Sequence, residues 1–222
     1  MGLPFTADQF FGVFEAYNLS VWPAQIGLLL AAMGIVVLPQ LRRGKPDRIA
    51  AGLLGGLWLW TGLVYHLLFF ADVNPAAYAF AALFASEGAL LVAYGRRLSF
   101  RARWDAAGIA GGALILYALV IYPILGFALG HRFPASPTFG APCPLVIFTL
   151  GVLLWAEPRA ALPLLWIPAA WALIGVTAVG AFGMVEDIAL PVAAAIALIL
   201  TIARRRRPSP APHLGQPEAH RT

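Results

Sequence analysis

The sequence predicts an all-α polytopic membrane protein: a bundle of about seven transmembrane helices, N-terminus outside and C-terminus inside, with a short N-terminal interfacial helix. Three observations predict it. Hydrophobic residues make up 61% of the 222-residue chain and charged residues only 11%, against roughly 25% charged in soluble domains. Long apolar stretches recur at lengths near the ~20 residues that cross a hydrocarbon core at ~1.5 Å per residue. Lys and Arg fall in short clusters between those stretches.

The elements follow in order. Thr6 and Gln9 fit a capping box, and Phe10, Phe11, Val13, Phe14 and Tyr17 recur at helical spacing. Residues 5–17 read as an amphipathic helix at the interface, its aromatic side in lipid or against the bundle. The alternative is an extension of the first span. Asn18, Ser20 and Pro23 favour a restart, with Ser20 as the new cap. No basic leader precedes the first apolar stretch and no small-x-small cleavage pattern follows it, so that stretch is expected to remain in the membrane.

Spans are predicted at 21–39, 50–70, 76–94, 107–129, 143–156, 161–182 and 188–203. The fifth is short and starts at Pro142-Cys143-Pro144; a re-entrant fifth segment and six crossings are the alternative. Pro123 and Pro168 should kink their helices. In domain terms, 1–20 is the interfacial helix, 21–203 the bundle, and 204–222 a polar, Pro-rich tail predicted to be disordered in the cytoplasm. His213 and His220 lie in that tail and are discounted as ligands.

Charge sets the topology. Arg42, Arg43, Lys45 and Arg48 fall in one loop, and Arg96, Arg97, Arg101 and Arg103 in another. Arg159 and Arg204 to Arg207 lie on the same side. The opposite loops carry Asp72, Glu186 and Asp187 with Arg132 as their one cation. Basic residues stay cytoplasmic, and seven crossings satisfy that parity whereas six do not. This clustering also reads as membrane-lipid contact rather than nucleic-acid recognition. The single cysteine, Cys143, excludes an internal disulfide.

Without a water-driven core, close approach of small residues should hold the helices together. Gly52 with Gly56, Gly108 with Gly112, and Gly126 with Gly130 are G-x-x-x-G pairs, and Ala77, Ala81, Ala85, Gly88 and Ala89 form a small face. They read as seams within one chain rather than dimer contacts. No inverted repeat is visible.

The unusual polar residues fall in the outer half. Glu15 and Asn18, Asp72, His131, Cys143, Glu186 and Asp187 form an outer-side cluster. His66 lies roughly 7 Å below the outer end of its span, and Tyr65 and Tyr122 share that half. Glu87 lies near mid-membrane, where a charged side chain costs about 2.5–3.5 kcal/mol. It should face inward, as a proton or ion contact or as a neutral bridge between helices, accepting hydrogen bonds from Ser86, Thr149 or a tyrosine. Glu87, His66, Tyr65 and Tyr122 are the candidate path for a solute or ion. His66, His131, Cys143 and Glu186 are candidate metal ligands, although no local motif supports them. Cys143 with His131 is a weaker nucleophile arrangement. No cofactor is indicated. The loop 130–142, rich in Pro and Gly, reads as an ordered lid or a rigid crossover, with Arg132 paired to Glu186 or Asp187.

The stretches "LPFTADQFFGVFEAYNLSVWPAQ" (3–25), "WLWTGLVYHLLFFADVNPAAYAF" (58–80), "YPILGFALGHRFPASPTFGAPCPLVIFTLG" (122–151) and "WALIGVTAVGAFGMVEDIAL" (171–190) resemble a bacterial multi-pass membrane family, domain of unknown function 6064. The resemblance runs to about residue 203. It implies a membrane fold, in the bacterial cytoplasmic membrane, and supplies no catalytic residues. Three functions stay open: a small transporter or permease-like protein for an ion or solute, a membrane-embedded enzyme with or without a metal, and an accessory subunit of a membrane complex or homo-oligomer.

Overall fold

The computed structural model describes residues 4–41, 44–157 and 163–206. Arg42, Arg43, Arg159 and the tail from Arg207 on, with His213 and His220, lie outside the described residues.

Helix α1 (Ala7–Val21) opens on the predicted capping box: Gln9 N donates to Thr6 Oγ1 and Thr6 N to Gln9 Oε1. Phe10, Val13, Phe14 and Tyr17 are buried, so the aromatic face is turned to the bundle. The helix runs past Ser20, which is exposed within it and caps nothing; the break falls at Trp22-Pro23.

Among the described residues, six helices are long and apolar enough to cross a membrane. These are α2 (Ala24–Leu41), α3 (Lys45–Asp72), α4 (Ala77–Gly95), α5 (Ala106–Ala128), α7 (Pro163–Phe182) and the segment ending in α8 (Ala189–Arg206), which a 3-10 turn, Val185–Ile188, precedes. Helix α3 begins earlier than predicted and takes in Lys45 and Arg48, because Asp47 accepts a hydrogen bond from Gly44 N and anchors the first turn. Helix α8 likewise runs on into the arginines predicted to begin the tail. Two helices widen locally: Thr61–Phe69 and Tyr117–Ile121 are π-helical. The second lies just before Pro123, so the missing proline N–H is met by a wide turn.

Helix α6 (Pro142–Leu154) is the predicted short fifth segment, and its 13 residues extend only ~20 Å. Every residue from Pro144 to Leu154 is buried. It lies against α5, α7 and α8, running antiparallel to α5: Cys143 stands beside Asp187 near the end of α5, and Trp155 Nε1 donates to Gly108 O at its start. The helix is short because other segments close both of its ends. At one end, β1 (Ser99–Phe100) pairs antiparallel with β2 (Ala156–Glu157). At the other lies the ordered loop before Pro142.

The seam between α3 and α4 uses Gly88 of the predicted small face, but on α3 it lies at a different position from that predicted. A Cβ on Gly52 or Gly56 would meet nothing within 4 Å. The α3–α4 crossing is instead Gly55 against Gly88, where a Cβ on Gly55 would stand 2.7 Å from Gly88 O. Gly111 and Gly151 make the equivalent crossing of α5 and α6, at 2.7 Å from Gly151 O.

The basic end is a closed polar network. Asp47, 3% exposed, accepts from Phe100 N at 3.0 Å and Ser99 Oγ at 3.2 Å, and pairs with Arg101 at 3.5 Å. Arg103 bonds Glu157 and Leu154 O, and Arg204 reaches Leu154 O and Glu157. Lys45, Arg48, Arg96, Arg97 and Arg205 belong to the same end by their positions at the start of α3, just past α4 and at the end of α8.

Candidate functional site

The end opposite the arginines gathers most of the outer-side residues. The 3-10 turn Val185–Ile188 presents Glu186 and Asp187 to the interior, 0% and 1% exposed. His131 Nδ1 lies 2.7 Å from Glu186 Oε1. Tyr122 donates to Asp187 Oδ1 at 2.6 Å, and Tyr117 to Glu186 O at 2.9 Å. The Cys143 thiol stands beside Asp187. Glu186 Oε2 and Asp187 Oδ2 have no hydrogen-bond partner. Arg132, expected to pair with these acids, lies over the Phe127 ring at 4.3 Å instead; His131 occupies the place beside Glu186.

The loop from Gly130 to Ala141 is fixed from beneath. Asn18 Nδ2 donates to Pro134 O and Ser136 O at 2.6 and 2.8 Å. Gln25 Nε2 donates to Asn18 Oδ1 at 2.6 Å, and Thr138 Oγ1 donates to the same oxygen at 2.7 Å. Thr61 Oγ1 donates to Gly140 O at 2.9 Å. Gly140 has φ of +110°, and a Cβ there would meet Tyr17 OH at 2.9 Å. Trp60 Nε1 donates to Tyr17 OH at 2.8 Å. Burial pushes Tyr17 up to about 12, with the Trp60 hydrogen bond in part opposing it, so this hydroxyl stays a neutral phenol. Asn18 is thus a loop anchor, whereas Glu15 and Asp72 are exposed and stand outside the cluster.

A cavity of about 420 Å³ opens between α1, the π-helical part of α3, α4, α6 and α7. Its lining includes Phe10, Tyr65, His66, Phe80, Cys143 and Trp171. His66 is 0% exposed, with rings of Tyr65, Phe70, Phe80, Phe84 and Trp171 around it. Both imidazole nitrogens lack a hydrogen-bond partner, as does Trp171 Nε1. Leaving a buried donor or acceptor unpaired costs about 1–3 kcal/mol, and three such atoms here belong to two side chains that line one cavity. A second cavity, about 290 Å³, lies past the start of α6 and is lined by Tyr122, His131, Pro144 and Glu186 among others.

Glu87 departs from the expected path. It is fully buried on α4, both carboxylate oxygens lack partners, and it lines neither cavity. The proposed donors are engaged elsewhere: Thr149 Oγ1 donates to Leu145 O and accepts from Trp58 Nε1, and Ser86 Oγ donates to Ala82 O. Helical geometry explains this, since a Ser or Thr hydroxyl readily turns back to the carbonyl four residues earlier.

Of the four candidate metal ligands, only His131 and Glu186 are brought into direct contact. His131 is held by Glu186, Cys143 stands with Asp187, and His66 lies among rings. Among the described residues no three His, Cys, Asp or Glu side chains stand grouped for a metal ion. His131 Nδ1 bonds Glu186 and the Cys143 thiol stands beside Asp187, which is not the arrangement of a nucleophile pair. Trp171, Gln25 and Asp47 were not singled out from the sequence. A polar residue such as Gln25 inside an apolar stretch is the kind of signal that marks a buried contact; Trp171, one of seven tryptophans, carries no such mark.

A family of unknown function, DUF6064, has a model that matches residues 7–211, and the chain belongs to that family. No curated protein and no solved structure matches it.

Proposed function

We propose that this member of the DUF6064 family is a seven-span, permease-like protein of the bacterial cytoplasmic membrane. In this reading the N-terminus is outside, the arginine-rich end faces the cytoplasm and its lipid headgroups, and α6 is a short seventh crossing. The gathering of the described arginines and lysine at one end, Arg132 excepted, supports the orientation. The antiparallel course of α6 along α5 supports the crossing.

The solute enters the cavity around His66 from the outer side. It is a small amphiphile, with an aromatic or short aliphatic body and a head that hydrogen-bonds to imidazole and indole. One observation carries this: a fully buried histidine with both nitrogens unpartnered, on the wall of an aromatic cavity. Sites of this kind pair mostly apolar walls with a few placed polar atoms. The route runs by Tyr65 and His66, with Glu87 apart from it.

Benzoate is the first probe, since its ring suits the walls and its carboxylate accepts hydrogen bonds; the neutral acid that crosses lipid unaided sets the background in protein-free vesicles, which is smallest at alkaline pH. Proteoliposomes should take up labelled benzoate saturably, above protein-free vesicles, and His66→Phe should abolish the difference. Saturable binding without uptake would leave a binding protein and remove the permease reading; neither binding nor uptake across a panel of aromatic and aliphatic acids would remove both.

A further inference from the structure

We propose that the second cavity, beside Glu186, binds a small organic ammonium ion. Glu186 lines that cavity, is fully buried, and has one oxygen engaged by His131 and the other without a partner. An unpartnered carboxylate oxygen in a cavity wall calls for a donor, and a charged N–H or the positive surface of an alkylated ammonium meets that need more strongly than a neutral group.

The surroundings give the sign. Glu186 and Asp187 are adjacent in sequence and both buried, and His131 is the one basic side chain bonded to either. The other cation at this end, Arg132, lies on Phe127, and the remaining described Lys and Arg residues stand at the far end of the bundle. Tyr122, which donates to Asp187, lines the same cavity as Glu186.

The walls give the class. Tyr122, Phe127, Phe133 and Phe139 line the cavity with Glu186. Aromatic faces attract quaternary and alkylated ammonium groups, the more so where water is excluded. Phe127 already carries a guanidinium on its ring in this structure. A bare metal ion needs several oxygen ligands to replace its water shell, and rings with one carboxylate do not provide them. A carbon-clad cation loses little hydration and gains both the carboxylate and the ring faces.

The site is separate from the His66 cavity, and its ligand is read whether or not benzoate is carried. The test uses the full chain in lipid nanodiscs, titrated calorimetrically with choline chloride and with methylammonium chloride, against sodium chloride. Saturable binding of choline or methylammonium is expected, with sodium giving none. Glu186→Gln should weaken it at least about tenfold, and Phe133→Leu, a change on the half-open rim, should weaken choline more than methylammonium. The proposal is overturned if neither ammonium binds saturably, or if sodium competes equally. It is also overturned if the folded Glu186→Gln protein binds as the wild type does; where that variant fails to fold, equal choline affinity in Phe133→Leu and wild type overturns it instead.

Discussion

At the basic end of the bundle, Asp47 is buried yet accepts from Gly44, Ser99 and Phe100 and pairs with Arg101. At the opposite end, Glu186 and Asp187 are as deeply buried, and each keeps an oxygen without a partner, as His66 does with both nitrogens. The two ends therefore use buried polarity in opposite ways. One engages its buried acid, Asp47, in hydrogen bonds and an ion pair and closes the helices around β1 and β2. The other leaves polar atoms without partners on Glu186 and His66, side chains that line cavities, where a ligand can complete them. Satisfied networks fix structure, and open ones reserve free energy for binding.

The largest effect expected from breaking this contrast is at Asp47. Asp47→Ala leaves Phe100 N–H without its acceptor and Arg101 without its counter-ion, a loss of about 3–5 kcal/mol. A large fall in the unfolding temperature in detergent checks it; a change of only a degree or two would show that the basic end holds together without Asp47.

Next comes the seam between α3 and α4. Gly55→Ala puts a methyl against Val92 Cγ2 at 2.6 Å and a backbone carbonyl at 2.7 Å, and should cost about 2 kcal/mol. Gly52→Ala, facing open space three residues away, should be neutral or slightly stabilising. Equal melting of the two variants would contradict the seam.

The outer end responds with the opposite sign. His66→Phe removes two unpaired buried nitrogens while keeping a ring among rings, so the protein should gain about 1 kcal/mol and lose benzoate binding. A lowered melting temperature would mean that the imidazole is bonded and not held in reserve.

The smallest effect belongs to Asp105. Partial burial acts to raise its pKa, but the hydrogen bond from Gly108 N and the charges of Arg103 and Arg204 outweigh it, holding the carboxyl below its ordinary 3.8. A folded-state value lowered in this way contributes stability above the unfolded pKa and loses it as pH falls through the folded one. Because Asp105 is half exposed, the contribution is screened and small. The melting temperature should fall on acidification from about pH 4, and by less in Asp105→Asn.

The fold was legible in the residues wherever a single helix face or a loop charge decided the outcome. Thr6 and Gln9 announced the first helix, and each apolar stretch became a helix within a few residues of its expected limits. The arginine loops fell together because insertion and charge are local properties of short segments. The seams were less legible. Gly52 and Gly56 have the same spacing as a true crossing, and only the angle between α3 and α4 selects Gly55 and Gly88. Likewise His131 was recognisable as an outer polar group, but its choice of Glu186, and Arg132's choice of Phe127, depend on how the loop turns above Asn18 and Gln25. Glu87 was expected at an accessible depth; depth along a helix axis is readable from sequence, whereas access depends on neighbours that sequence does not order. The π-helical widening at Thr61–Phe69, which sets Tyr65 and His66 side by side in the wall, had no signal at all in the residue pattern.

Helix α6 has almost no surface left for lipid, and this bears on the order of events during synthesis. A segment of 13 residues is short for stable residence in the bilayer alone, and its partners α7 and α8 leave the ribosome after it does. It must therefore wait, loosely placed beside α5, until the last two helices arrive to enclose it. Helices α7 and α8 act in that sense as the cover that completes assembly, and a ribosome halted before Ala189 should leave α6 accessible to protease where the finished protein protects it.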